Sequence, residues 1–136
     1  MKFFYKRFGL FLRPVIEIRV KNKDTSLRYE VLVDSGADLC LFDAALGEAI
    51  GLEIEKGKPK EVMGVGGKFS LYYLHRVTIE VGGWPYEIEV GFMPSVGGRT
   101  APYGIVGQKG FFDKFVVTFN QSEEKLILKR VQEGSY

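Results

Sequence analysis

The sequence predicts an all-β domain of about eight strands in a closed or nearly closed sheet, with one or two short helices. Three observations carry this reading. Apolar and polar residues alternate with period two in several short stretches, the pattern of half-buried strands. Glycine is abundant, seventeen in 136 residues, close to twice the average share of about 7%, while only five prolines accompany it. Aromatic residues reach 14%, which argues against disorder and for a packed fold with many tight turns. At 136 residues and 15.4 kDa the chain is the size of one domain, typically about 100–150 residues, and it is read as a single domain over 1–136.

The elements follow in order. Met1 to Pro14 is aromatic and basic and is read as an N-terminal strand or a loose arm. Val15 to Val20 alternates as Val-Ile-Glu-Ile-Arg-Val, a half-buried strand. Asn22 to Ser26 is turn chemistry, and Leu27 to Val33 returns as a strand with Tyr29, Val31 and Val33 on one face. After Asp34-Ser35-Gly36-Ala37-Asp38 comes the apolar run Leu39 to Phe42. Asp43 then caps a short helix, Ala44 to Ile50, which Gly51 ends. Lys56 to Lys60 is read as a charged, solvated loop, and Met63 to Lys68 as a glycine-rich segment between strand-like residues. Val77, Ile79 and Val81, then Gly82-Gly83, then Trp84, Tyr86, Ile88 and Val90 form the clearest hairpin, because a Gly-Gly pair supplies the positive φ that a two-residue turn requires. Ser95 to Thr100 is a second glycine-bearing loop. Tyr103 to Gln108 is a short apolar strand ended by glycine, and Gln108 to Lys114 is read as a single helical segment. Val116 to Phe119 and Lys125 to Val131 close the chain as two strands around the Asn120-Gln121-Ser122 turn.

Composition excludes several functions. Nineteen Lys and Arg against seventeen acids give a net charge of +2, without the basic excess that marks a phosphate-binding face, so no nucleic-acid partner is expected. No apolar run approaches the roughly 20 residues of a membrane span, and no membrane partner is expected. Arg7 and Arg13 interrupt the apolar start, so no signal peptide is expected, and a cytoplasmic, reducing location is. The lone Cys40 excludes an internal disulfide, and its apolar neighbours make it a core thiol rather than a nucleophile. With one His and one Cys there is no Cys/His metal site, and no metal or other cofactor is expected. Ser35 lacks the Gly-x-Ser-x-Gly elbow of serine hydrolases. The segment Gly64 to Lys68 lacks the Gly-Lys-Ser/Thr ending of a phosphate loop. His75, in a strand-like stretch, is read as a surface or partly buried strand residue.

One constellation remains. Val33-Asp34-Ser35-Gly36 puts a carboxylate directly after an apolar strand, with turn-forming residues behind it. Alone, such a tripeptide is an ordinary turn. Three elements in order change that reading: Leu32-Val33-Asp34-Ser35-Gly36-Ala37-Asp38, the glycine-rich Met63 to Gly67 stretch, and Tyr103-Gly104-Ile105-Val106-Gly107. Together they resemble the retropepsin-like aspartic proteases, single-domain relatives of pepsin, over about residues 15–119. The resemblance implies a closed acid-protease-type barrel and an endopeptidase that cuts extended peptides near apolar residues.

It also implies roles. Asp34 is expected to be the catalytic acid/base, with Ser35 and Gly36 supporting the loop. Gly36 is expected to offer its carbonyl, and Asp38 its side chain, to substrate main chain. Leu32, Leu41 and Ile105 are expected to line apolar pockets, and Gly64, Val65 and Gly66 to form a flap tip. Aspartic proteolysis uses two carboxylates sharing one proton, and pepsin-type enzymes are the standard example of such a coupled pair. This chain has one Asp-Ser-Gly, and none of Asp24, Asp38, Asp43 or Asp113 is followed by Ser/Thr-Gly. The expected enzyme is therefore a homodimer with one Asp34 from each copy, acting on a peptide or protein substrate. The alternative is a catalytically inactive module of the same fold that binds peptides or proteins. Where retroviral members commonly place an arginine after the Ile-Val-Gly-type motif, this chain has Gln108.

Overall fold

Twelve strands, one α-helix and one 3-10 turn form among residues 1–63, 66–94 and 102–132, which the computed structural model describes. They are β1 (Lys2–Phe4), β2 (Lys6–Phe8), β3 (Phe11–Arg13), β4 (Val15–Asn22), β5 (Thr25–Val33), β6 (Leu41–Asp43), α1 (Ala44–Ala49), the 3-10 turn Ile54–Lys56, β7 (Lys58–Met63), β8 (Phe69–Val81), β9 (Trp84–Met93), β10 (Gly104–Val106), β11 (Phe115–Asn120) and β12 (Lys125–Arg130). The expected all-β class is what forms. Both hairpins expected from alternation are present and longer than expected: β4 turns into β5 through Lys23-Asp24, and β8 into β9 through Gly82-Gly83, whose φ angles of 56° and 86° fit the two-residue turn.

Strand order in the largest sheet is β4-β5-β10-β6-β9-β8-β7, and β4 also pairs with β8. Six strands therefore hydrogen-bond in a ring, with β7 attached outside it along β8. β10 is its keystone: it lies parallel to β5 on one side and antiparallel to β6 on the other. A second sheet, β1-β12-β11, joins the two ends of the described chain, and β2–β3 pair only with each other.

Inside the ring the inward residues of each strand form one core. Val20, Val31, Phe42, Ile79, Val81, Val90, Phe92, Val106 and Phe111 have no measurable exposure. Fully burying such a side chain contributes about 1.5–3 kcal/mol, whereas exposed ion pairs such as Arg28–Glu17 and Arg76–Glu87 contribute about 0–1 kcal/mol each. Core packing, not surface charge, holds this fold. The single thiol, Cys40, is fully buried in that core.

Three local expectations are corrected. The segment read as a charged loop from Lys56 to Lys60 is the end of the 3-10 turn followed by the start of β7. Its Lys-Pro-Lys composition suits an edge strand that pairs on one side only, and lysine and proline there deter further strand addition. Gln108 to Lys114 forms successive turns rather than a helix. Gly110 sits at φ 104°, outside helical space, and its N–H is taken by the Asp113 carboxylate at 3.0 Å. Met1 to Pro14 holds three strands, not one strand or an arm, and so accounts for part of the excess over eight. The expected Ser95–Thr100 loop lies outside the described residues.

Candidate active site

The alternation of β5 sets the site. Val31 and Val33 point into the core and Leu32 points out, so the next residue, Asp34, emerges half-buried on the outer side with Leu32. Its backbone N–H donates to the Val106 carbonyl at 3.0 Å, extending the β5–β10 ladder by one bond. The loop then folds back on itself: the Asp34 carbonyl accepts from Ala37 N–H at 3.2 Å, and its Oδ1 accepts from Gly36 N–H at 2.9 Å. Among the described residues Oδ2 takes no hydrogen bond.

The residues after β10 brace this loop from beneath. Gln108 N–H donates to the Ala37 carbonyl at 2.8 Å, and Lys109 N–H to the Asp38 carbonyl at 3.0 Å. The Gln108 side chain reaches further, its Nε2 donating to the Ser35 carbonyl at 3.0 Å. The approach is tight. A Cβ on Gly107 would lie 2.5 Å from the Ala37 carbonyl oxygen and 2.6 Å from that of Leu39, so only glycine allows the two segments to meet. The sequence alone marks Gln108 as a departure from an arginine; its bond to Ser35 is what the structure adds.

The expected pocket residues come together. Ile105 pairs with Leu32 on one side and with Leu41 on the other, and residues paired in register share a face. All three are half-exposed, a continuous apolar row beside Asp34. Gly91 continues the row next to Leu41. The ring of Tyr72 covers it, since a Cβ on Gly91 would lie 2.6 Å from Tyr72 Cδ2 and 2.8 Å from Leu41 Cδ2. At the opposite end Leu32 and Phe8 pack against the cluster of Val15 and Tyr103. Tyr72, Gly91, Tyr103 and Phe8 were not anticipated from sequence. A lone glycine inside an alternating strand signals a close approach, and Gly91 carried that signal.

Ser35, Gly36 and Asp38 are exposed. The Ser35 hydroxyl, the Gly36 carbonyl and the Asp38 carboxylate take no hydrogen bond among the described residues, so all three are open to another molecule. The glycine-rich stretch ends the β7–β8 hairpin, where Met63 pairs with Phe69. Gly66 and Gly67 turn there at φ 89° and 77°. Gly64 and Val65, expected at the flap tip, lie outside the described residues. His75 is half-buried in β8, where its Nε2 donates to the Ile54 carbonyl at 2.8 Å and ties the 3-10 turn to the sheet. It stands apart from the Asp34 loop.

A sequence model of the family described as aspartyl protease matches residues 16–109, well over half the chain. The chain belongs to the aspartyl protease family. Among solved structures, the retropepsin-like aspartic protease from Rickettsia conorii is similar with a TM-score of 0.69 and 15% identity, covering 94% of this chain and 88% of that one. EIAV protease in complex with the inhibitor HBY-793 is similar with a TM-score of 0.52 and 23% identity, covering 76% of this chain and 88% of that one. At these identities the likeness is one of fold, and the fold of this aspartyl protease family member is the retropepsin-like one. No curated protein sequence matches the chain.

Proposed function

We propose that the chain is one half of a homodimeric aspartic endopeptidase. The observation that carries this reading is the Asp34 carboxylate, held at the mouth of the β5–β10 ladder with Oδ1 fixed by Gly36 and Oδ2 open. A single such carboxylate cannot be base and acid at once. Two of them, one from each copy across a two-fold axis, share one proton because like charges in contact cannot both ionise.

The ionised carboxylate takes a proton from a bound water, whose oxygen attacks the scissile carbonyl carbon. The protonated carboxyl donates to the carbonyl oxygen, giving a tetrahedral diol. Its collapse breaks the C–N bond as the carboxyl that took the water proton passes it to the nitrogen, and a diol hydroxyl returns its proton to the other carboxylate as the C=O of the new acid forms, which restores the shared proton. In this scheme the Gly36 carbonyl and Asp38 bind substrate main chain, and the row Leu32, Ile105 and Leu41 receives apolar side chains flanking the cut. The β7–β8 hairpin, which turns through Gly66 and Gly67, covers an extended peptide through main-chain bonds. Ser35 joins the matching loop of the second copy.

Cleavage of an unfolded protein, followed from mildly acidic to neutral pH with wild type and Asp34→Asn, tests the mechanism. Wild type is expected to cleave and to be inhibited by a pepstatin-type compound, and Asp34→Asn to be inert. Cleavage that persists in Asp34→Asn overturns the reading.

A further inference from the structure

The chain's charge is balanced overall, at a net +2, but not locally. A cleft of about 480 Å³ opens between the start of β9, the turns before β11 and the end of β12. It shares no lining residue with the Asp34 site, and its volume falls within the about 300–1,000 Å³ typical of small-molecule sites. Trp84 and Val131 give it an apolar wall, and Lys114, Lys129 and Arg130 bring three cations to it. None of the three pairs with a carboxylate among the described residues. Asp113 is the one acid among the described lining residues, and its Oδ1 already accepts from Gly110 N–H at 3.0 Å. The lining charge is thus three positive against one negative. The cations are also held in place. Arg130 lies over the indole face of Trp84, 4.9 Å from the ring centroid. That ring is fixed in turn by stacking on Tyr86 at 4.7 Å and by an edge contact with Phe115 at 5.5 Å. A guanidinium placed by its flat face keeps its in-plane N–H donors for a ligand. The Val131 N–H donates to the Lys114 carbonyl at 2.9 Å, which bonds the two cation-bearing walls to each other.

We propose that this cleft binds a small phosphate monoester carried on a compact apolar body. Charge decides the class of ligand. A phosphate monoester carries about −1.5 to −2 at pH 7, which matches the lining's excess of two positive charges, whereas a carboxylate leaves half of that excess unpaired. Arg130, Lys114 and Lys129 reach the phosphate oxygens through charge-assisted hydrogen bonds, with the Arg130 fork suited to two oxygens at once. Trp84 and the 42% exposed Val131 receive the apolar body. The site stands apart from the proposed peptidase reading and does not depend on it.

Trp84 is the only tryptophan in the sequence, so its fluorescence reports on the cleft directly. The experiment titrates phenyl phosphate at low salt and neutral pH into wild type, Asp34→Asn and the double variant Lys114→Gln/Arg130→Gln. Benzoate, an aromatic ring with a single charge, is the control ligand. Wild type and Asp34→Asn are expected to show the same saturable change with phenyl phosphate, and benzoate to bind wild type at least tenfold more weakly. The double variant is expected to bind phenyl phosphate at least tenfold more weakly. Calorimetry repeats that comparison without relying on Trp84, whose surroundings the variant alters. A second variant, Lys129→Gln, removes only an exposed cation and is expected to weaken binding about threefold, a readout that survives misfolding of the double variant. Absence of saturable binding by wild type, benzoate bound as tightly as phenyl phosphate, or unchanged affinity in the variants overturns the site. Loss of binding in Asp34→Asn overturns it by moving the ligand to the Asp34 loop. Binding to phosphatidic acid vesicles without binding of free phenyl phosphate overturns it in favour of a membrane contact. Binding as expected by a chain that cleaves no peptide supports the cleft and overturns only the peptidase reading.

Discussion

Gln108 shows how much one side chain can add to a loop it does not belong to. The segment 35–38 has few bonds of its own, and Gln108 holds two of its carbonyls, those of Ser35 and Ala37, through its amide side chain and its backbone. Leucine at this position keeps the backbone bond and removes the side-chain bond. A neutral hydrogen bond contributes about 1 kcal/mol, so Gln108→Leu is expected to lower kcat about fivefold. Its urea midpoint should fall only slightly, because Gln108 is exposed and no core contact is lost. Peptide cleavage at saturating substrate, paired with equilibrium unfolding, checks both halves of that expectation. The arginine common in retroviral members made residue 108 conspicuous in the sequence. Its actual partner, the Ser35 carbonyl, was not legible, because a backbone acceptor carries no residue identity.

At the scale of elements, strands with strict alternation were legible and those without it were not. β4, β5, β8 and β9 alternate, pair over long registers and were anticipated. β2 and β3 are three residues each and flank a Gly-Leu turn among aromatics, a pattern too short for periodicity to register. The segment after β10 has the apolar spacing of a helix turn, and Gly110 with its positive φ overrides it. The site follows the same division. Leu32, Ile105 and Leu41 lie in strands whose register could be inferred, whereas Tyr72 reaches Gly91 from the neighbouring β8 strand. That ring lies over Gly91 beside Leu41, and on the proposed reading it limits the substrate side chain that fits there. Tyr72→Ala is expected to shift cleavage toward larger apolar side chains at the subsite beside Leu41, by about tenfold in relative kcat/KM, equivalent to about 1.4 kcal/mol. Competition between peptides that differ only at that position measures the shift, and an unchanged preference contradicts it.

Over the whole molecule, buried proton donors make stability depend on pH in the alkaline range. Burial pushes the Cys40 thiol up to about 11 from an ordinary 9.0. It pushes the Tyr29 phenol up to about 12 from 10.0, against the opposing effect of the Asp43 N–H that donates to its oxygen. Both groups hold their protons more tightly folded than unfolded. The stability they contribute is complete below the unfolded values and is lost as pH rises through the folded ones. Unfolding midpoints should therefore change little on account of these groups up to about pH 9, then fall between 9 and 12. Cys40→Ala is expected to remove the fall between 9 and 10, where only the thiol contributes, and to lessen it between 10 and 11, at the cost of a lower plateau from the cavity it leaves. Urea titrations at stepped pH read both effects.

The keystone position of β10 also has a consequence in time. The Asp34 loop is made before the rest of its site, because the strand that completes its ladder and the Gln108 that braces it come from the far side of the β8–β9 hairpin. The ring cannot close until that hairpin has formed and β10 has entered between β5 and β6. Non-local closure of this kind is slow relative to hairpin formation. A nascent chain thus carries its acidic loop unbraced until β10 has been made and has entered the ring, and the Asp34 geometry is set only then. For a member of a protein-cutting family, that order delays the site until the chain around it has folded.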